Sequence, residues 1–187
     1  MKRRTFLLAG TGALGALIVG WSVLPPRQRL DGRHPLAAEN GEVAVNGWIK
    51  LTTEGSAVVA MPRSEMGQGI LTGVAMIAAE ELDLPLERVS LVQAPRDRIF
   101  GNVRLLEDGL PFRADDQGLR ARALRWITAK IAPELGINVT GGSSSIKDLW
   151  LPVREAAAQA RATLVQACAA MKGVPAEACV TEAGFVV

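Results

Sequence analysis

The segment Ser64-Glu65-Met66-Gly67-Gln68-Gly69 gathers several kinds of ligand-facing chemistry just where a helix should begin. Gln68 carries one acceptor and two donors, which complements a flat heterocycle with mixed polar edges. Met66 offers a soft, polarisable contact to such a ring. Gly67 and Gly69 permit unusual backbone angles and let a ligand approach the main chain. Unpaired amides at the start of the following helix can receive an anionic or acceptor group. A structural turn ahead of a helix would use the same glycines, so the residues alone leave both readings open. Glu65 reads as a hydrogen-bonding residue of the loop or helix entry.

A second small-residue cluster, Thr140-Gly141-Gly142-Ser143-Ser144-Ser145, poses the same choice. Its glycines and hydroxyls can bind phosphate or a polar ring, and a loop with a helix cap explains them equally well. The two cysteines, Cys168 and Cys179, match no metal or iron–sulfur spacing. They read as buried free thiols, with a disulfide as the alternative. The single histidine, His34, falls in a stretch rich in Pro, Arg and Gly and reads as solvated.

The elements that must carry these clusters follow from spacing. Two apolar runs around Thr53-Glu54-Gly55 predict a hairpin. Ile70, Leu71, Val74, Ile77, Ala78 and Leu82 recur at helical spacing, and Pro85 bars continuation. Residues 88–95, "RVSLVQAP", predict the next strand. A second hairpin is expected around Asp108-Gly109. Leu119 to Leu135 predicts a helix, with Arg120, Arg122 and Arg125 as a solvated face. The strongest helix follows, with Asp148 expected as its N-cap and Pro152 in its first turn. Its stripe of Val153, Ala156, Ala157, Ala160, Leu164, Ala167, Cys168 and Met171 is alanine-rich, which lets it lie close against a sheet. The end predicts a strand, a turn at Glu182-Ala183-Gly184, and a strand barely begun, which reads as a piece of a larger chain. The fold class is α+β: helices packed on a small mixed or antiparallel sheet, part of a larger domain.

Length and composition bound the rest. In 187 residues, 49% are apolar and 21% charged, as in a globular protein with one core. The net charge of +2 and an aromatic content of 4% argue against a nucleic-acid surface. Residues 1–24 join a basic tip to an uncharged stretch from Phe6 to Leu24. Arg3 and Arg4 ahead of Phe6 and Leu7 resemble a twin-arginine export signal, with a membrane anchor as the alternative. Residues 25–45 read as linker and 46–187 as the partial folded domain.

At this point a family resemblance emerges. Residues 62–95, "PRSEMGQGILTGVAMIAAEELDLPLERVSLVQAP", resemble a segment of the molybdenum hydroxylases, the xanthine dehydrogenase and aldehyde oxidase family. Residues 139–165, "VTGGSSSIKDLWLPVREAAAQARATLV", resemble the isoquinoline 1-oxidoreductase type of large subunit, as does the export signal ahead of the first motif. The resemblance implies a molybdopterin cofactor in its dinucleotide form, contacted by Met66, Gly67, Gln68, Gly69, Gly142, Ser143, Ser144 and Ser145. It implies hydroxylation of an aldehyde or N-heteroaromatic carbon with water as oxygen source, in an exported, periplasm-facing enzyme. Electrons would leave through 2Fe–2S clusters in a small partner subunit. The family's catalytic glutamate is expected outside this chain, so the chain alone is expected to be inactive. The second reading is an exported α+β scaffold or partner-binding domain without catalysis.

Overall fold

The computed structural model describes residues 15, 17, 19–32, 36–39 and 41–187. Arg3, Arg4, Phe6, Leu7 and His34 therefore lie outside the described residues. Residues 19–23 are helical. No helix among the described residues is long and apolar enough to cross a membrane.

The expected hairpin forms from β2 (Ile49–Leu51) and β3 (Ala57–Met61). Ile49 sits opposite Val59 in antiparallel register, and Gly55 takes a φ of 76° in the turn, where an L side chain would be strained. A short strand β1 (Val43–Ala44) pairs on the outer edge of β2. On the other side β4 (Val89–Gln93) runs parallel to β3. Parallel neighbours need a crossover, and α1 (Ile70–Leu82) supplies it. The sheet is thus mixed, in the order β1-β2-β3-β4. β3 is buried at Ala57, Val59, Ala60 and Met61, as suits an inner strand.

Helix α1 buries Ile70, Val74, Ala78 and Leu82 and ends at Asp83 in the left-handed region, two residues before Pro85. The hairpin expected around Asp108 is instead a short helix, α2 (Val103–Asp108). Side-chain acceptors decide the matter: Asn102 Oδ1 takes the Leu105 amide at 3.0 Å, while Asp148 Oδ1 takes those of Val103 and Arg104 at 2.9 and 3.3 Å. Three amides that a helix start would leave unpaired are thereby satisfied.

Helix α3 (Leu119–Leu135) forms as expected. Arg120 and Arg122 are exposed, whereas Arg125 donates to the Asp116 and Arg113 carbonyls at 2.6 and 2.7 Å. Helix α4 (Ser145–Lys172) starts earlier than the sequence suggests. Asp148 lies inside its first turn, and Pro152 stands in the helix interior. The Ser144-Ser145 pair begins the helix, which frees the Asp148 carboxylate for other partners.

The alanine stripe packs mainly against α1 rather than the sheet. A Cβ built on Gly73 would lie 3.2 Å from Ile146 Cδ1, and Arg154 pairs with Glu81 the same distance further along both helices. The two helices therefore run side by side in the same direction. Val153, Ala156, Ala157 and Ala160 are fully buried, but Leu164 and Met171 are 43% and 89% exposed, because the helix outruns the core. Trp48 and Phe100 anchor that core edge to face, centroids 4.7 Å apart. Cys168 and Cys179 are free but half-buried, not the fully buried thiols expected. The terminal hairpin forms as β5 (Thr181–Glu182) and β6 (Phe185–Val186).

Candidate functional site

The Ser64–Gly69 loop leaves the carboxyl end of β3 and enters α1. In an open sheet with parallel strands, that end is where ligand crevices form. Gly69 is the N-cap of α1, with φ 76° and no side chain to offer. Glu65 does the capping: Oε1 accepts from the Gly67 and Gly69 amides at 2.8 and 3.0 Å, and Oε2 from Leu71 at 3.1 Å. The Leu71 amide, then those of Gly69, Gly67 and Gln68, hold the Glu65 carboxyl below the usual range, against a smaller opposing effect of burial. A negative group there also suits the positive end of the helix dipole.

Gln68 folds back on the same loop. Its Oε1 accepts from the Met66 amide at 2.5 Å, and Nε2 donates to the Ser64 carbonyl at 2.8 Å. Met66 is 68% exposed. Gly67 has a φ of 92°, and no atom lies within 4 Å of a Cβ built on either Gly67 or Gly69. The glycines thus leave open space over the main chain.

The second cluster lies beside the first. The Ser64 amide donates to Thr140 Oγ1 at 2.9 Å, joining segments 76 residues apart. Gly142 and Ser143 both take positive φ, 61° and 52°, in an exposed turn. Ser144 is buried; its hydroxyl donates to the Gly141 carbonyl and accepts from Asn102 Nδ2, both at 2.7 Å. Ser145 is buried as the first residue of α4. Since α1 and α4 run in the same direction, both helix N-termini meet at this rim.

Under the rim lies an ionic cluster that sequence spacing did not reveal. Asp148 pairs with Arg63 at 2.7 Å and with Arg29 at 3.0 Å. The side chains of Arg63 and Asp148 are 0% and 1% exposed. Arg63 also donates to the Phe100 carbonyl at 2.8 Å and to Asn138. Arg29 donates to the Ile99 and Gly101 carbonyls at 2.7 and 2.8 Å. Burial pushes the Arg63 pKa down, Asp148 pushes it up, and Arg29 pushes it down again. Arg63 Nε is buried with no hydrogen-bond partner. A charged residue one proline past an apolar strand and straight before the loop was the available signal for Arg63. Nothing local pointed to Arg29 or Asn102. Among the described residues no His, Cys, Asp and Glu cluster could hold a metal ion.

The family profile described as a molybdopterin cofactor-binding domain matches residues 16–102. The beta subunit of isoquinoline 1-oxidoreductase from Brevundimonas diminuta is 30% identical over 145 residues, covering 77% of this chain and 15% of that protein. The chain belongs to the molybdenum hydroxylase family. A nicotinate dehydrogenase subunit of Pseudomonas putida is 29% identical over 184 residues, 98% of this hydroxylase-family chain and 12% of the relative. A membrane-bound aldehyde dehydrogenase of Gluconacetobacter polyoxogenes, named with pyrroloquinoline quinone, is 23% identical over 193 residues and 19% of its length. The chain thus spans less than a fifth of each of these relatives. The profile match includes the first loop, Arg63 and Asn102 and ends before Thr140.

Proposed function

We propose that the two loops form one edge of the molybdopterin site of this oxidoreductase. In this reading Met66 and Gln68 contact the pterin, and Gly67 and Gly69 keep the main chain open to it. Gly142 and Ser143 line the other side, and the buried Ser144 and Ser145 hold the turn behind them. The observation that carries the reading is the Ser64–Thr140 hydrogen bond at 2.9 Å, which sets both loops and both helix N-termini on one rim. The donor set suits the group: an amide side chain for polar ring edges, the amides at the start of α4 for a phosphate, and a thioether for the ring face, while the amides at the start of α1 are already taken by Glu65. Gln68 already has partners within its loop, so its contact with the pterin exchanges the bonds to Met66 and Ser64 for bonds to the ring.

When bound, the cofactor supplies the redox chemistry. The residues present here bind and orient it; none serves as the catalytic base. For the complete enzyme we propose hydroxylation of aldehydes or N-heteroaromatic carbons with water as oxygen source. Electrons then pass to a small iron–sulfur subunit. Residues 1–24 direct export through the twin-arginine machinery. The dinucleotide form of the cofactor brings a further phosphate, which suits the positive end of α4, the start of α1 being occupied by Glu65.

Gln68→Ala in the complete enzyme tests the assignment through molybdenum content and the fluorescence of the released, oxidised pterin. Loss of the amide should weaken retention by about 1–3 kcal/mol. Unchanged molybdenum and pterin content would remove Gln68 from the site and leave the scaffold reading.

A further inference from the structure

The chain between α3 and α4, residues 136–144, carries no regular structure, yet two buried side chains from elsewhere hold it at both ends. Asn102 is 1% exposed and uses every polar group of its side chain. Its Nδ2 donates to the Val139 carbonyl at 2.9 Å and to Ser144 Oγ at 2.7 Å, while Oδ1 accepts from the Leu105 amide at 3.0 Å. The Asn102 main-chain amide adds a bond to the Ile137 carbonyl at 2.7 Å. From another side the buried Arg63 donates to Asn138 Oδ1. Ile137, Asn138, Val139 and Ser144 are thus each tied to a residue outside both loops.

The segment they hold is exposed at Ile137, Asn138, Val139, Gly142 and Ser143. Few apolar contacts fix such a stretch, so directional hydrogen bonds set its path. Within it lies a turn with an uncommon backbone. Gly142 and Ser143 both have positive φ, 61° and 52°, and the Cβ of Ser143 makes this conformation costly. A residue keeps such angles where its surroundings over-determine them. Ser144 does so from one side, held by Asn102 and donating to the Gly141 carbonyl at 2.7 Å. Leu105 does so from the other, since a Cβ built on Gly142 would lie 2.9 Å from Leu105 Cδ1. Asn102 is the N-cap of α2 and so places Leu105 as well.

We propose that Asn102 and Arg63 are positioning residues of the molybdopterin site. The proposal rests on the reading of the two loops as one edge of that site. Both side chains act through the second loop and need no contact with the cofactor. Asn102 sets the Gly142–Ser143 turn, and Arg63 sets the residues that lead into it. Thr140 then meets Ser64 where the two loops join. The turn is shaped before the pterin arrives, so the binding step is spared the entropy of ordering it.

The test must separate position from folding. Asn102→Asp is close to isosteric and keeps the acceptor for Leu105, but it loses both Nδ2 donations. A buried carboxylate can unfold a chain, so the exposed Asn138 supplies a second pair of variants. Asn138→Ala removes the acceptor for Arg63, and Asn138→Asp retains it; should Asn102→Asp not fold, this pair decides alone. In the full chain, amide NMR relaxation should show residues 138–143 losing order in Asn102→Asp and Asn138→Ala. Asn138→Asp should match the parent, with Tm unchanged in both Asn138 variants. In the complete enzyme, the rate of molybdenum and pterin loss should rise about tenfold in Asn102→Asp and about threefold in Asn138→Ala. It should stay at the parent rate in Asn138→Asp. A loop that remains ordered, or disorder without faster cofactor loss, would overturn the proposal. So would an Asn138→Asp enzyme that loses cofactor as fast as Asn138→Ala. Gln68→Ala, run alongside, tells the two readings apart. Faster loss in Gln68→Ala alone overturns the positioning role and keeps the rim, whereas no faster loss in any variant removes the rim and the role together. Faster loss in the loop variants alone upholds the positioning role and drops Gln68 from the site.

Discussion

Glu65 shows how much a single exposed side chain can organise. Its carboxylate accepts from the amides of Gly67, Gly69 and Leu71, and this lowers its folded pKa. For a depressed acid the contribution to loop order is fully present above the unfolded value of about 4.3 and is lost as pH falls through the folded one. The amide resonances of these residues should therefore titrate with a midpoint below that value. A midpoint at or above it would deny Glu65 the capping role. Asp148 is the buried counterpart. Asp148→Asn leaves the guanidinium groups of Arg63 and Arg29 without their counter-ion and should cost about 3–5 kcal/mol in chemical denaturation. Adding Arg63→Met should restore part of the loss, because two members of one network do not act additively. The sequence suggested Asp148 as a helix cap, the usual role of an acid just ahead of an apolar stripe. Its partners come from 85 and 119 residues away, and such distance leaves no local trace.

Elements governed by local rules were legible, and those governed by distant partners were not. The β2–β3 hairpin, α1, β4 and α3 follow from period, turn residues and a proline stop, all of which act within a few residues. Asp108-Gly109 carries a genuine turn signal, yet residues 103–108 form a helix because Asn102 and Asp148 satisfy its first amides. The small-residue face of α4 was readable, but its partner was not: the alanines allow close approach to any neighbour, and α1 fills that place. Ala157 is fully buried there. Ala157→Leu should overpack the contact and cost about 1–3 kcal/mol, read as a lower Tm. An unchanged Tm would mean the helices have room that the structure denies them. Of the candidate site, the two loops stand out in the sequence by their glycines and polar side chains. Their adjacency does not, since one hydrogen bond between Ser64 and Thr140 sets it.

At the scale of the whole molecule, the chain spans 15% of the isoquinoline 1-oxidoreductase beta subunit that it resembles, and in the proposed reading it carries one edge of the cofactor site with the base elsewhere. Purified alone and supplied with cofactor, it should not reduce dyes with aldehydes or N-heterocycles; appreciable turnover would place a base among these residues. An open groove of about 400 Å³ lies between α4 and the terminal hairpin, with Leu82, Leu84, Leu164, Met171 and Phe185 in its wall.

The ionic cluster also sets an order of events during synthesis. Ser64 to Gly69 leave the ribosome early, but Arg63 beneath them meets its counter-ion only after Asp148 has been made, and Thr140 must arrive to pin Ser64. The early loop is therefore on hand long before its foundation. If the loop holds the pterin as proposed, insertion of the prosthetic group has to wait for a polypeptide more than twice as long as the motif alone would require.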